Sequence, residues 1–278
     1  MKKISAALVT AVLLSGTILI PQQSQAATFS AGMYGFYTYW NPAWRSVYSN
    51  TKNDPMLIWG PFLSVTFFQK LSFSAMFLQN RTNMSDSSYT IEDNGSGGPY
   101  TIDIDTTIDR NELDLTSNYK FSSGLSLFMG CKFLFYNLGH DGDNQRTINP
   151  ATYNLYSTHK ATRNNSTGAA AGASYSIPLS DNLVFTAGNA LVFFNTMIEL
   201  ASSYEVSPGN IDFESISYKY KSLGDNVTGT FTYYIPAVST TLSLGGRFQV
   251  LKHFSEGDAP SLANDYFYGV TLSAILHI

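Results

Sequence analysis

The sequence predicts an all-β fold: about ten antiparallel strands closed into a transmembrane barrel, with hairpin extensions on one side. Three observations predict it. Apolar residues recur with period 2 almost throughout. The face opposite the apolar one is built from Gly, Ser and Thr rather than Lys and Glu, and the connections alternate strictly between short and long. Composition agrees: of 278 residues, 44% are hydrophobic, 14% aromatic and only 13% charged, where an average soluble domain carries about 25% charged residues. Aromatic content of this size excludes intrinsic disorder. The lack of apolar runs of ~20 residues past the N-terminus excludes a bundle of membrane helices. A single Cys excludes a disulfide framework and a Cys-based zinc site.

The first 26 residues read as a cleaved secretory signal. Lys2 and Lys3 give a basic start, 5–20 is apolar, Pro21 breaks the run, and Ser24-Gln25-Ala26 places small residues where a signal peptidase reads. Residues 27–278 then form the mature domain. Loss of the two lysines takes the net charge from −4 to −6, which gives no support to nucleic acid or another polyanion as a partner.

Strands are expected near 28–40, 57–67, 71–83, 109–121, 125–136, 166–177, 183–195, 225–235, 240–253 and 265–278. In the fifth, Leu125, Leu127, Met129, Cys131, Phe133 and Phe135 form one apolar face, against Ser126, Phe128, Gly130, Lys132, Leu134 and Tyr136. Short turns follow the even strands, at 68–70, 122–124, 178–182 and 236–239, and long connections follow the odd ones. Lipid offers backbone groups no hydrogen-bond partner, so an open edge costs several kcal/mol per unsatisfied group and the first and last strands must pair.

With these features the chain from residue 27 onward resembles a Gram-negative outer-membrane β-barrel. The last strand is similar to the assembly signal of such proteins, with apolar residues alternating to the end, although it closes on Ile278 rather than Phe. The resemblance implies residence in the outer membrane, with its lipid and lipopolysaccharide as partners, and the chain is expected to be a monomer. Segments 87–93 with 100–108, and 203–206 with 211–220, flank Gly- or Pro-containing turns and are read as hairpins extending the wall outward. Segment 138–165, with Pro150 and few apolar residues, is read as an irregular external loop.

Lumen and boundary residues follow from register. If Phe121 faces Leu125, then Asp114 falls opposite Lys132 on the inner face, a favourable cross-strand pair. Arg247 lies at a similar distance above its own turn, so Asp114, Lys132 and Arg247 form a charged belt, with Glu112 further outward. Such charges belong inside, because Lys or Arg at mid-depth on the lipid face costs ~2–4 kcal/mol. The belt either plugs a narrow lumen or forms a selectivity constriction. With Phe128, Leu134 and Tyr136 also pointing inward, the plug is favoured. Tyr34, Tyr37, Tyr39, Trp40, Tyr266 and Tyr268 are placed at the lipid–water boundary; ligand stacking is the alternative for Trp40, Trp44 and Trp59. Asn189 interrupts an apolar outward set, which calls for a bulge or a polar neighbour.

No catalytic constellation is legible. None of His140, His159, His253 and His277 sits in the His-x-Ser context of outer-membrane phospholipases. His277 is expected inside near the short-turn rim, and the others near or in external segments. Omptin-like proteases resemble this chain in strand number and pair Asp-x-Asp with Asp-x-His. Asp103-Ile104-Asp105 matches the first half, but no Asp-x-His occurs. Asp103, Asp105 and Asp109 share one strand face, with Glu92 and Asp93 across the hairpin, and form a candidate Ca²⁺ site beside the simpler reading of a solvated acidic edge. Asp141-Gly142-Asp143-Asn144 lacks the rest of a calcium loop. No cofactor is implied. The sequence therefore points to a non-enzymatic barrel with an occluded lumen and external hairpins for surface binding or adhesion. The alternative is a small-solute pore gated at the belt.

Overall fold

A computed structural model describes residues 27–41, 55–91, 100–148, 151–207, 210–259 and 261–278. The expected signal segment, Trp44, Glu92 and Asp93 lie outside the described residues. Ten strands run in chain order: β1 Thr28–Asn41, β2 Met56–Phe67, β3 Leu71–Ile91, β4 Tyr100–Lys120, β5 Leu125–Ile148, β6 Ala151–Pro178, β7 Leu183–Ser207, β8 Asn210–Ile235, β9 Thr240–Ser255 and β10 Asp265–His277. Each pairs antiparallel with its chain neighbours, and β1 pairs with β10, so the sheet is a closed barrel. The seam carries backbone bonds to its last residue: Ile278 N–H donates to Phe29 O at 2.8 Å, and Phe29 N–H to Ile278 O at 3.2 Å. No edge is left for lipid to meet.

The ladder also sets the tilt. Tyr266 on β10 pairs with Val250, which pairs with Asp225, Leu191, Ala171, Met129, Ser117, Phe73, Val65 and Phe29 in turn. Phe29 then meets β10 at Ile278, twelve residues beyond Tyr266. A closed sheet with that stagger inclines its strands by about 35–45° to the barrel axis.

Three of the four short turns use left-handed backbone. Phe68 and Gln69 adopt φ of 53° and 56°, Gly124 takes 84°, and Ser239 takes 47° after the 3-10 turn Pro236–Val238. Ser176 O would lie 2.7 Å from a Cβ at Gly124, so both conformation and space favour glycine there.

Two expectations are corrected. Residues 138–165 are not an irregular loop: β5 continues to Ile148 and β6 starts at Ala151, paired throughout, with one shift in register between Asn144 and Gln145. Above the membrane the wall needs no apolar face, because the backbone ladder alone carries the strands upward, so hydrophobic alternation fades while pairing persists. The wall is therefore lopsided. Strands β3 to β8 have 21 to 28 residues, whereas β2 has 12 and β10 has 13. Among the described residues the rim is low on the β9–β10–β1–β2 side.

The second correction concerns aromatics. Tyr37, Tyr39, Tyr266 and Tyr268 do face outward as a girdle, and Tyr39 stacks on Tyr268 with ring centroids 5.5 Å apart. Trp40 is buried at 3% exposure and Tyr34 packs beside the buried cluster, so both point inward. The cause is parity: even positions of β1 face the lumen, and neighbours in sequence cannot share the lipid side. Trp59 faces outward.

Candidate functional site

The lumen is the candidate site, and it is filled in layers. At the short-turn end His277 bridges Ser30 Oγ, 2.9 Å from Nδ1, and Thr241 Oγ1, 2.7 Å from Nε2. It sits inside the rim, across the β1–β10 seam.

Above this lies the charged belt. Asp114 and Lys132 occupy opposed ladder positions on β4 and β5 and form an ion pair that is nearly buried. Arg247 donates from Nε to Asn226 Oδ1 at 3.1 Å and from Nη2 to Gln249 Oε1 at 2.5 Å, and its guanidinium lies 5.2 Å above the Phe36 ring. Glu112 is paired not with Arg247 but with Arg110, whose Nε donates to Oε1 at 2.7 Å. Arg247 and Lys132 act on the same carboxylate at longer range. Arg110 is not among the residues singled out from the sequence. Its signal is there, since it shares parity with Glu112 and Asp114 and so faces inward with them. With Arg110 included, three cations meet two carboxylates.

Apolar groups close the space above. Phe36, Trp40, Ile58, Leu78, Ile108, Leu134, Val192, Phe194, Leu251 and Phe267 are all buried in one cluster drawn from eight strands. Trp40 stacks on Phe267 at 5.5 Å, and the Arg110 guanidinium sits 5.0 Å from the first ring and 4.3 Å from the second. Inward glycines make the room: a Cβ at Gly168 would lie 2.6 Å from the Phe194 ring, and one at Gly224 would lie 2.5 Å from Leu251 Cδ2. A buried hydrogen-bond chain lines the β5–β7 wall. Asn164 donates to the Tyr136 hydroxyl, Ser166 Oγ donates to Asn164 Oδ1 at 2.7 Å, and Ser166 meets Thr196 Oγ1 at 2.8 Å.

At the low rim stands a constellation that no local motif announces. Ser222 Oγ on β8 is 2.7 Å from His253 Nδ1 on β9, and His253 Nε2 is 3.2 Å from Asp265 Oδ2 on β10. All three are inward-facing. The pairing of Ser222 with His253 follows from the 236–239 turn: Ile235 meets Thr240, and thirteen pairs further up Ser222 meets His253.

The acidic residues of the candidate Ca²⁺ site all lie on β4. Asp103 and Asp105 lie on β4 opposite Asp143 and Asp141, and Asp109 opposite Asn137; the side chains of Asp103 and Asp105 lie outside the described residues. Among the described residues no group of three His, Cys, Asp or Glu could hold a metal ion. Asn189 resolves as a polar pair, donating from Nδ2 to Asp225 Oδ1 at 2.7 Å on the outer face. β7 runs through it in continuous register, without a bulge.

This fold is that of outer-membrane β-barrel proteins. The chain is similar to the outer membrane protease OmpT of Escherichia coli at 11% identity and TM-score 0.50, covering 94% of this chain and 100% of that one. It is also similar to a major outer membrane protein of Thermus thermophilus (13% identity, TM-score 0.42, 91% and 100% covered). A third is the translocator domain of the autotransporter NalP of Neisseria meningitidis (10%, 0.39, 99% and 96%). No protein-family model matches the sequence, and no curated protein matches it.

Proposed function

We propose that this chain is an outer-membrane barrel with an occluded lumen that serves as a rigid platform, its tall β3–β8 wall carrying external hairpins to bind a partner or surface. One observation carries the reading: the apolar cluster spans the lumen, with Phe36, Trp40 and Phe267 from the low wall in the same cluster as Leu134, Val192 and Phe194 from the tall one. Side chains fill an eight-stranded barrel, and ten strands widen it only modestly. The ion pairs below then act as struts, and this role calls for no covalent chemistry.

Planar-bilayer recording tests the reading. The mature barrel is expected to give no steady channels. Steady conductance altered by Lys132→Ala would establish the pore instead, with anions favoured because the belt holds three cations against two carboxylates. Adhesion assays on a chain lacking residues 87–107 test the platform: unchanged adhesion removes that hairpin from the binding surface.

A further inference from the structure

We propose that Ser222, His253 and Asp265 form a serine-nucleophile relay at the extracellular rim, acting on carboxylic esters with an apolar acyl group. This goes beyond the platform role and does not depend on it. A carboxylate 3.2 Å from Nε2 favours the proton on that nitrogen, which leaves the Nδ1 lone pair to accept from the Ser222 hydroxyl 2.7 Å away. Nucleophile, base and orienting acid then stand in the order an activated serine requires. The Nε2–Oδ2 contact lies off the line of a good hydrogen bond, so Asp265 acts on the ring through its charge.

Position supports the same assignment. Asp265 is the first residue of β10, and Tyr220 with Ser255 is the last pair joining β8 to β9, so the relay lies one inward pair below the low rim. Ser222 is only 1% exposed. The next inward residue toward the mouth on its own strand is Tyr220, itself buried, which makes Tyr220 the side chain that must swing aside. Leu251 and Phe267 are the inward neighbours of His253 and Asp265 on β9 and β10 and give an apolar wall for an acyl chain.

In the reaction His253 Nδ1 takes the serine proton as Oγ attacks the ester carbonyl. The C–O bond to the alcohol breaks, and the leaving alkoxide takes that proton from His253. Water then attacks the acyl-serine by the reverse proton path, releasing the carboxylic acid and restoring Ser222.

An alkyl fluorophosphonate is the probe, since Oγ displaces fluoride at phosphorus to leave a stable ester found by mass spectrometry. Full-length mature barrel in detergent micelles is expected to label at Ser222. Labelling should vanish in Ser222→Ala, fall at least about tenfold in His253→Gln and Asp265→Asn, and rise several-fold in Tyr220→Ala, with folding checked by heat-modifiable gel migration. Short-chain p-nitrophenyl ester hydrolysis should follow the same order. No labelling of Ser222 in either the wild type or Tyr220→Ala, or equal labelling of His253→Gln, would overturn the relay. Neither result bears on bilayer conductance, so the two proposals fail separately.

Discussion

Asp114 and Lys132 are directly opposed on adjacent strands and meet inside the barrel, each side chain 13% exposed. Breaking a buried pair by removing one partner leaves an uncompensated charge, which costs about 3–5 kcal/mol. Lys132→Ala is expected to lose that much in urea unfolding from lipid vesicles. Asp114→Leu with Lys132→Met should recover most of it, because no charge is then stranded. A double variant as unstable as the single one would show that the pair is not a strut.

Arg110 makes a sharper case, because its guanidinium is both paired and seated against two aromatic rings. Arg110→Ala strands Glu112 at 6% exposure and removes the cation from the Trp40 and Phe267 rings. A loss of about 3–5 kcal/mol is expected. Arg110→Lys keeps the charge but not the planar fork and should recover only part. Full recovery by lysine would mean that stacking contributes nothing.

On the outer face, Asn189 is the donor that satisfies Asp225 beside lipid. Asn189→Leu leaves the carboxylate without it and should cost about 1–3 kcal/mol, whereas Asn189→Leu with Asp225→Val should be nearly neutral. Equal losses in both variants would show that the pair is irrelevant to folding.

External charge gives a pH-dependent signature. The Lys221 ammonium, 2.7 Å from Glu256, holds that carboxyl below its ordinary range through a hydrogen bond and its charge. A lowered folded-state value means the contribution is present above the unfolded carboxylate pKa and fades as pH falls through the folded one. Titration of Glu256 by NMR should show a midpoint below the free value, returning toward it in Lys221→Ala. An unchanged midpoint would remove the pair from solution.

How far the site can be read from the chain differs residue by residue. Asp114 opposite Lys132 follows from one turn and counting, since antiparallel pairing conserves the sum of positions. The same counting reaches Ser222 and His253, but nothing local marks them, and Asp265 lies across a further connection whose length hides its register. Trp40 reads as a boundary residue because its amphipathic ring suits both a boundary and a lumen; only its parity with Phe36 separates them. Residues 138–165 read as irregular because polar strands above a membrane carry no hydrophobic rhythm.

Alternation of apolar with small residues is enough to establish that this chain spans a membrane as a sheet and must close on itself, because hydrocarbon tolerates no unpaired backbone. The twelve-residue stagger, the unequal height of the wall and the company each inward side chain keeps emerge only in the assembled barrel. Those depend on where distant strands come to rest against one another, and a period of two says which way a side chain points but not what it will find there.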